Sequence, residues 1–141
     1  VMPFVKKHGM GIMAYGSLAH GLLTGVWTAD KTFGDDDWRR SGANFGIKSW
    51  GPENLAANVA VVEKLKVIAA DHGKTIPQLA IAWVLANEAI SVALAGSVTP
   101  AEAKENLGGD WEMSDDLRQE IDTLVLAEGS GVGTSGMEIA T

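Results

Sequence analysis

Hydrophobic positions form two kinds of pattern along this chain: short apolar runs and stripes at helical spacing. The runs Gly11 to Ala14 and Ala89 to Ala95 are too short for helices, and their largely continuous apolar character is typical of strands buried on both faces. The chain between and after them carries the stripes. The pattern therefore predicts a strand, helices, a second strand and further helices, in that order.

Two helices are predicted between the strands. Pro52 and Glu53 open the first, and Gly73 ends it. Its buried face keeps three- and four-residue spacing and consists of Leu55, Val59, Val62, Leu65 and Ile68. Thr75 and Pro77 begin the second helix, which leads directly into the second strand.

Capping signals place the remaining helices. Residues 3–8 are predicted to be the last turns of a helix that stops at Gly9. Thr99 begins a short helix that reaches about Leu107, and Ser114 caps a last helix.

A long polar loop is predicted from about residue 26 to residue 51. Loops of this length are usually functional lids or disordered segments. Acidic residues 35–37 are close in sequence to Arg39 and Arg40, so we interpret the loop either as a lid closed by ion pairs or as a solvated charged segment. Two of its residues are predicted near the mouth of a site, namely Trp27 and Trp50.

The composition fits one folded domain, since 46% of the 141 residues are hydrophobic and 21% are charged. This domain is predicted to cover residues 1–128, and a flexible Gly- and Ser-rich tail to cover residues 129–141. The net charge of −7 argues against nucleic acid or an anionic membrane as partner. No apolar run approaches the roughly 20 residues of a membrane span. The absence of cysteine excludes disulfides and fits a cytoplasmic protein.

Each predicted strand opens into a glycine-containing turn, over residues 15–25 and residues 95–106. Backbone N–H groups of such turns can face an anion, and a helix that starts just behind adds a favourable field for phosphate. In α/β folds, ligands bind at the carboxyl ends of parallel strands. Two such units in one chain therefore predict a ligand that carries phosphate.

The amino-acid sequences of the two turns are specific enough to indicate a family. Residues 15–25 resemble the aromatic-S-P-L-A-x-G-L-L-T-G stretch that follows the seventh strand of aldo-keto reductases, and residues 95–106 resemble the P-G-S-x-x-P-x-x-x-x-E-N stretch after the eighth. The resemblance covers about residues 1–127. It implies the C-terminal part of a (β/α)8 TIM barrel, with a long inserted loop and a C-terminal helix.

The resemblance also implies a nicotinamide cofactor, NADP(H) or NAD(H). Tyr15 would stack on the nicotinamide ring, the alternative being a tyrosine packed under a loop. The rest of the first turn would contact the cofactor, with amides facing the pyrophosphate, through Gly16, Ser17, Leu18, Gly21 and Gly25. The second turn would contact the adenosine end through Gly96, Ser97, Val98, Thr99, Glu102, Glu105 and Asn106. His20 either touches a phosphate or faces solvent.

The second turn has a structural interpretation as well, because Thr99 and Glu102 fit a capping box with Pro100 at the first helical position. Many relatives hold the 2′-phosphate of NADPH with a basic side chain on this stretch. Positions 96–103 contain no lysine or arginine, and Lys104 is the only cation nearby in sequence. The absence of a basic residue at these positions predicts weak discrimination between NADH and NADPH, or a preference for NADH.

No catalytic or metal-binding residue is assigned. By resemblance, the proton-donating tyrosine and the Asp, Lys and His near it follow earlier strands, whereas the only tyrosine here is Tyr15. Two hypotheses remain: part of an NAD(P)H-dependent aldo-keto reductase that is inactive alone, or a non-catalytic self-associating domain with relict cofactor motifs. Two parallel strands leave unpaired edges, so we expect as partner a missing N-terminal half or a second copy in a homo-oligomer.

Overall fold

The computed structural model describes residues 1–44 and 47–131. Its elements are helix α1 (Met2–Lys7), strand β1 (Ile12–Ala14), two 3-10 helices (Ala19–Thr24 and Trp38–Ser41), α2 (Leu55–Asp71), α3 (Ile76–Leu85), β2 (Ile90–Ala93), α4 (Pro100–Leu107) and α5 (Asp115–Glu128). The order of strands and α-helices agrees with the sequence prediction. Within these residues, no helix has the length and apolar character needed to cross a membrane.

Local capping fixes where the helices begin. Thr75 N–H donates to Gln78 Oε1 at 3.1 Å in the capping box of α3. Ser114 Oγ likewise accepts from the N–H of Leu117 at 3.2 Å at the start of α5. Helix α2 begins at Leu55, later than predicted, because residues 51–54 close a turn first.

The two strands pair in parallel. Ile12 lies opposite Ile90 and Ala14 lies opposite Ala93, with one irregularity after Ile12. Parallel neighbours need a long crossover connection, which α2 and α3 provide here. The carboxyl ends of β1 and β2 consequently lie at the same edge, and both glycine-containing turns start there.

The core lies among α2, α3 and α5, on one side of the sheet. Its most buried members include Val62, Leu79 and Trp50, which are 4%, 2% and 4% exposed. The other side of the sheet is open: Met13 is 65% and Val92 is 43% exposed. The prediction that β2 is buried on both faces is therefore wrong for this chain, because α3 packs on one face and no described residue covers the other.

Two buried asparagines on either side of the α2 N-terminus hold distant segments together. Asn58 Nδ2 donates to the carbonyls of Ser49 and Ser130 at 2.6 Å each, and its Oδ1 accepts from Ser130 N–H at 2.8 Å. Asn54 Nδ2 donates to the carbonyl of Lys48 at 3.0 Å. The loop end and the segment after α5 are thus fixed to one helix terminus. Residues 129–131 of the predicted tail belong to this arrangement, and residues 132–141 lie outside the described residues.

Replacing Asn58 by alanine should lower the free energy of unfolding by about 2–3 kcal/mol, since each buried hydrogen bond contributes about 1 kcal/mol. The backbone groups that Asn58 bonded would also be left buried without a hydrogen-bond partner, which adds to the loss. Denaturant titration followed by tryptophan fluorescence measures this. Gln119→Ala, at an exposed position of α5, is the control and should stay within about 0.5 kcal/mol of the parent. Equal losses in the two variants would contradict the bridging role.

Candidate nicotinamide site

A cavity of about 740 Å³ lies at the carboxyl edge of the sheet, within the size range of ligand pockets. Both glycine-containing turns line it. The predicted site residues among its walls are Tyr15, Gly16, Ser17, Leu18, Gly21, Gly96, Val98, Glu102, Glu105 and Asn106. Gly25, Ser97 and Thr99 are not among them. The fold therefore brings together most residues of two segments that are far apart in sequence.

The first turn is a kinked 3-10 helix and not the start of an α-helix. The Gly21 N–H donates to the carbonyl of Leu18 at 3.0 Å, and that of Gly25 to the carbonyl of Leu22 at 3.4 Å. These two amides bond within the turn, and their role as donors to a pyrophosphate stays a prediction. Gly21 is required for another reason: its φ is +113°, and a Cβ there would lie 2.9 Å from the Trp27 ring.

Gly25 serves packing. Its φ is +77°, and a Cβ would lie 2.7 Å from both Ile76 Cγ2 and Lys66 Cε. The glycine thus lets the turn contact α2 and α3 closely.

Tyr15 and Ser17 differ in how they face the cavity. The Tyr15 side chain follows β1 directly and is 70% exposed, so its ring is open to a flat ligand. Ser17 is only 6% exposed, and its hydroxyl donates to the carbonyl of Ala14 at 3.3 Å. The serine therefore shapes the turn, while the tyrosine supplies the accessible surface.

The second turn is held by its own side chains. Thr99 Oγ1 accepts from the N–H of Glu102 at 3.2 Å, as the capping interpretation predicts. Glu102 Oε2 accepts from the N–H of Val98 at 2.8 Å and not from that of Thr99, so the box is incomplete. Asn106 Nδ2 donates to Ser97 Oγ at 3.0 Å. Glu102 both fixes the turn and lines the cavity.

Arg39 is a cavity residue that sequence reasoning missed. It lies in the long loop, and its guanidinium pairs with Asp37 at 2.6 Å and donates from Nη1 to the carbonyl of His20 at 3.1 Å. The guanidinium carbon also lies 5.1 Å from the centre of the Phe33 ring. The solvated-loop interpretation is thus wrong for Asp37 and Arg39, although the Asp35–Arg40 pair is exposed as that interpretation expects.

Three further residues have mixed outcomes. His20 lines the cavity and is half-buried among aromatic rings. Trp27 lines the cavity, as predicted, with 8% of its surface exposed, whereas Trp50 lies in the core, not at the mouth, and its Nε1 donates to the carbonyl of Arg39 at 2.9 Å. The tryptophans anchor the loop that carries the arginine.

Charges around the cavity are mixed. Arg39 supplies a cation, while Glu102 and Glu105 supply carboxylates. Hydrogen bonds from the Arg39 side chain and then from its backbone N–H lower the pKa of Asp37 to about 2. Asp37 in turn raises the pKa of Arg39, so the ion pair persists across physiological pH. Across residues 1–44 and 47–131, no three His, Asp or Glu side chains group as metal ligands.

Comparison with known proteins identifies the class. The model of the aldo/keto reductase family matches residues 1–125. Aldo-keto reductase YhdN of Bacillus subtilis is 32% identical over 127 residues, which cover 89% of this chain and 37% of that protein. The NADH-specific methylglyoxal reductase of Escherichia coli is 29% identical over 107 residues, or 76% of this chain and 31% of that protein. This chain belongs to the aldo/keto reductase family.

A solved structure supports the same fold. The glycerol dehydrogenase AKR11B4 from Gluconobacter oxydans superposes with a TM-score of 0.75 and 28% identity, over 91% of this chain and 38% of that protein. The predicted partial (β/α)8 barrel is confirmed. The chain thus spans between about a third and two fifths of these relatives. The predicted cofactor class, NAD(P)H, agrees with a family that includes a relative named for NADH.

The ion pair between Asp37 and Arg39 leads to a prediction about the pKa of Asp37. Replacing Arg39 by glutamine should raise the pKa of Asp37 from about 2 toward its ordinary 3.8, because the main hydrogen-bond donors are removed. Carboxyl-carbon NMR measures the shift. In the parent chain the pair supports stability above pH 3.8, and this contribution is lost as pH falls toward 2.

The control is Arg40→Gln, which removes the exposed partner of Asp35 and should leave the Asp37 titration unchanged. An Asp37 pKa near 2 in the Arg39 variant would show that the arginine does not hold this carboxylate.

Proposed function

We propose that this chain carries part of the nicotinamide-cofactor site of an NAD(P)H-dependent aldo-keto reductase, an oxidoreductase that converts a carbonyl to an alcohol. One observation carries the proposal: the turns after β1 and β2 line a single cavity at the carboxyl edge of a parallel pair. This is the position at which α/β barrels bind their ligands. Family membership supports the same cofactor class.

The residues of the cavity fit the parts of such a cofactor. The exposed ring of Tyr15 offers a stacking face for the nicotinamide. Gly96, Val98 and Asn106 line the opposite part of the cavity and are assigned to the adenosine end. The bound cofactor would supply the hydride, and these residues would orient it.

Arg39 is assigned to the phosphates. A guanidinium has five N–H groups, and the described partners of Arg39, Asp37 and the carbonyl of His20, engage Nε, one N–H of Nη1 and one of Nη2. Two N–H groups therefore remain for a ligand. The loop thus supplies a cation for the phosphates shared by NADH and NADPH, while positions 96–103 supply none for the 2′-phosphate of NADPH.

NADH is the proposed preferred cofactor. The 2′-phosphate of NADPH adds negative charge at the adenosine end, where Glu102 and Glu105 line the cavity. Repulsion by these carboxylates disfavours NADPH relative to NADH. The similarity to a reductase named as NADH-specific supports this preference.

Catalysis requires groups that this proposal does not assign to the chain. Reduction of a carbonyl needs a positioned proton donor, and the hydroxyl of Tyr15 would lie off the hydride path when its ring stacks on the cofactor. We therefore expect cofactor binding without carbonyl reduction by this chain alone. The open face with Met13, Val92 and Leu94, 65%, 43% and 43% exposed, is the proposed contact for further barrel strands.

A second candidate is a self-associating domain whose cofactor motifs are relict. The same uncovered apolar face favours it, since a second copy could cover the sheet in a homo-oligomer. A cytoplasmic location stays a prediction under either function.

Titration with NADH tests the proposed function. Binding should quench the fluorescence of tryptophans around the cavity, and Tyr15→Ala should weaken it about tenfold through loss of the stacking ring. Met13→Ala, on the open sheet face, is the control and should bind like the parent. Absence of binding by a folded parent chain would instead favour the self-associating domain.

Removing one carboxylate tests the cofactor preference. Glu102→Gln keeps an oxygen that can accept from the N–H of Val98 and deletes the negative charge. NADPH affinity should rise by about three- to tenfold while NADH affinity stays nearly constant. Glu112→Gln, at an exposed position outside the cavity, provides the matched control. A parent chain that already prefers NADPH tenfold would overturn the assignment.

A further inference from the structure

His20 occupies an unfavourable backbone conformation. Its φ and ψ are +56° and +25°, and Ala19 before it has a φ of +46°. Residues with a Cβ rarely adopt this left-handed region, and two in succession need support from their surroundings. In this conformation the imidazole lies between Tyr15 at the start of the turn and the long loop, and contacts on both sides supply that support.

The imidazole connects Tyr15 to three residues of the loop. Its ring centre lies 5.5 Å from that of Tyr15, 5.2 Å from that of Trp38 and 5.4 Å from that of Trp50. Asn44 Nδ2 lies 2.9 Å from His20 Nε2. With the Asn44 amide in this orientation its N–H donates to Nε2, which accepts when it is unprotonated, as in the neutral tautomer that carries its proton on Nδ1.

We propose that His20 is a positioning residue of the cofactor site, whose neutral imidazole lies between Tyr15 and the loop residues Trp38 and Asn44, supports the Tyr15 ring, and loses its contact with Asn44 on protonation. The inference rests on the proposed function, because Tyr15 is the stacking face assigned above. Released from its support, the Tyr15 ring loses its fixed orientation. Cofactor binding then weakens.

The charges around His20 favour the neutral form. From the loop, Arg39 approaches the His20 carbonyl at 3.1 Å, with Asp37 bound to the same guanidinium. Tyr15 is the titratable neighbour from β1, and Trp38, Asn44 and Trp50 carry no charge. Burial and then the charge of Arg39 lower the pKa of His20 below 6.5. The arrangement is therefore intact above pH 6.5 and is lost as pH falls through the lowered pKa.

The test measures NAD⁺ affinity of the full chain between pH 7.5 and 5.5. The parent should lose about three- to tenfold in affinity over this range. His20→Phe keeps an aromatic ring that cannot titrate, and His20→Asn introduces a residue that tolerates the left-handed backbone conformation. If one of the two variants fails to fold, the other still tests the proposal. Both should bind independently of pH, and His20→Asn should be weaker at pH 7.5. His8→Gln, at an exposed position directly after α1, should keep the parent's pH dependence.

A second readout needs no cofactor. Imidazole NMR of the free chain should give His20 a pKa below 6.5, and tryptophan fluorescence should change at that pKa in the parent but in neither His20 variant. A pKa above 6.5, from attraction of the aromatic rings for an imidazolium, would overturn the proposal. So would a pH dependence that persists in both variants. A third outcome separates the two proposals. If tryptophan fluorescence changes at the pKa of His20 but NAD⁺ does not bind at any pH, His20 still anchors the loop and the proposed function is rejected.

Discussion

The parallel hydrogen bonding of β1 and β2 is the constraint on which the candidate site depends. Parallel pairing puts both carboxyl ends at one edge, and it requires a crossover long enough to return the chain. Helices α2 and α3 form that crossover, and their apolar faces are buried in the core. The turns that begin at Tyr15 and Ala95 therefore line one cavity although most of the chain separates them.

The long loop completes the cavity because tertiary contacts fix it at several points. Trp50 inserts into the core and bonds the carbonyl of Arg39, while Asn54 and Asn58 hold the loop end against α2. Arg39 is consequently brought to the cavity by packing that lies outside the site. The packing of Trp50 and the bonds of the asparagines thus hold the charge of Arg39 in place although it lies in a loop.

The uncovered face of the sheet is where we propose that further barrel strands pack, and the chain covers 37% of the length of YhdN. Met13 and Val92 are apolar and exposed, which is costly in water and useful in a barrel whose strands continue on both sides. Both glycine-containing turns nevertheless line the cavity within the described chain, since each directly follows β1 or β2.

The sequence by itself determined the local structure: the order of elements, the caps at Thr75, Thr99 and Ser114, and two turns whose motifs named the family. Those features depend on residues that are near neighbours in the chain. Only the tertiary structure decided that Arg39 and His20 belong to the cavity and that the Gly25 turn packs against α2 and α3. These roles arise from contacts across long sequence separations, where side-chain packing and burial, and not local propensity, fix which groups meet.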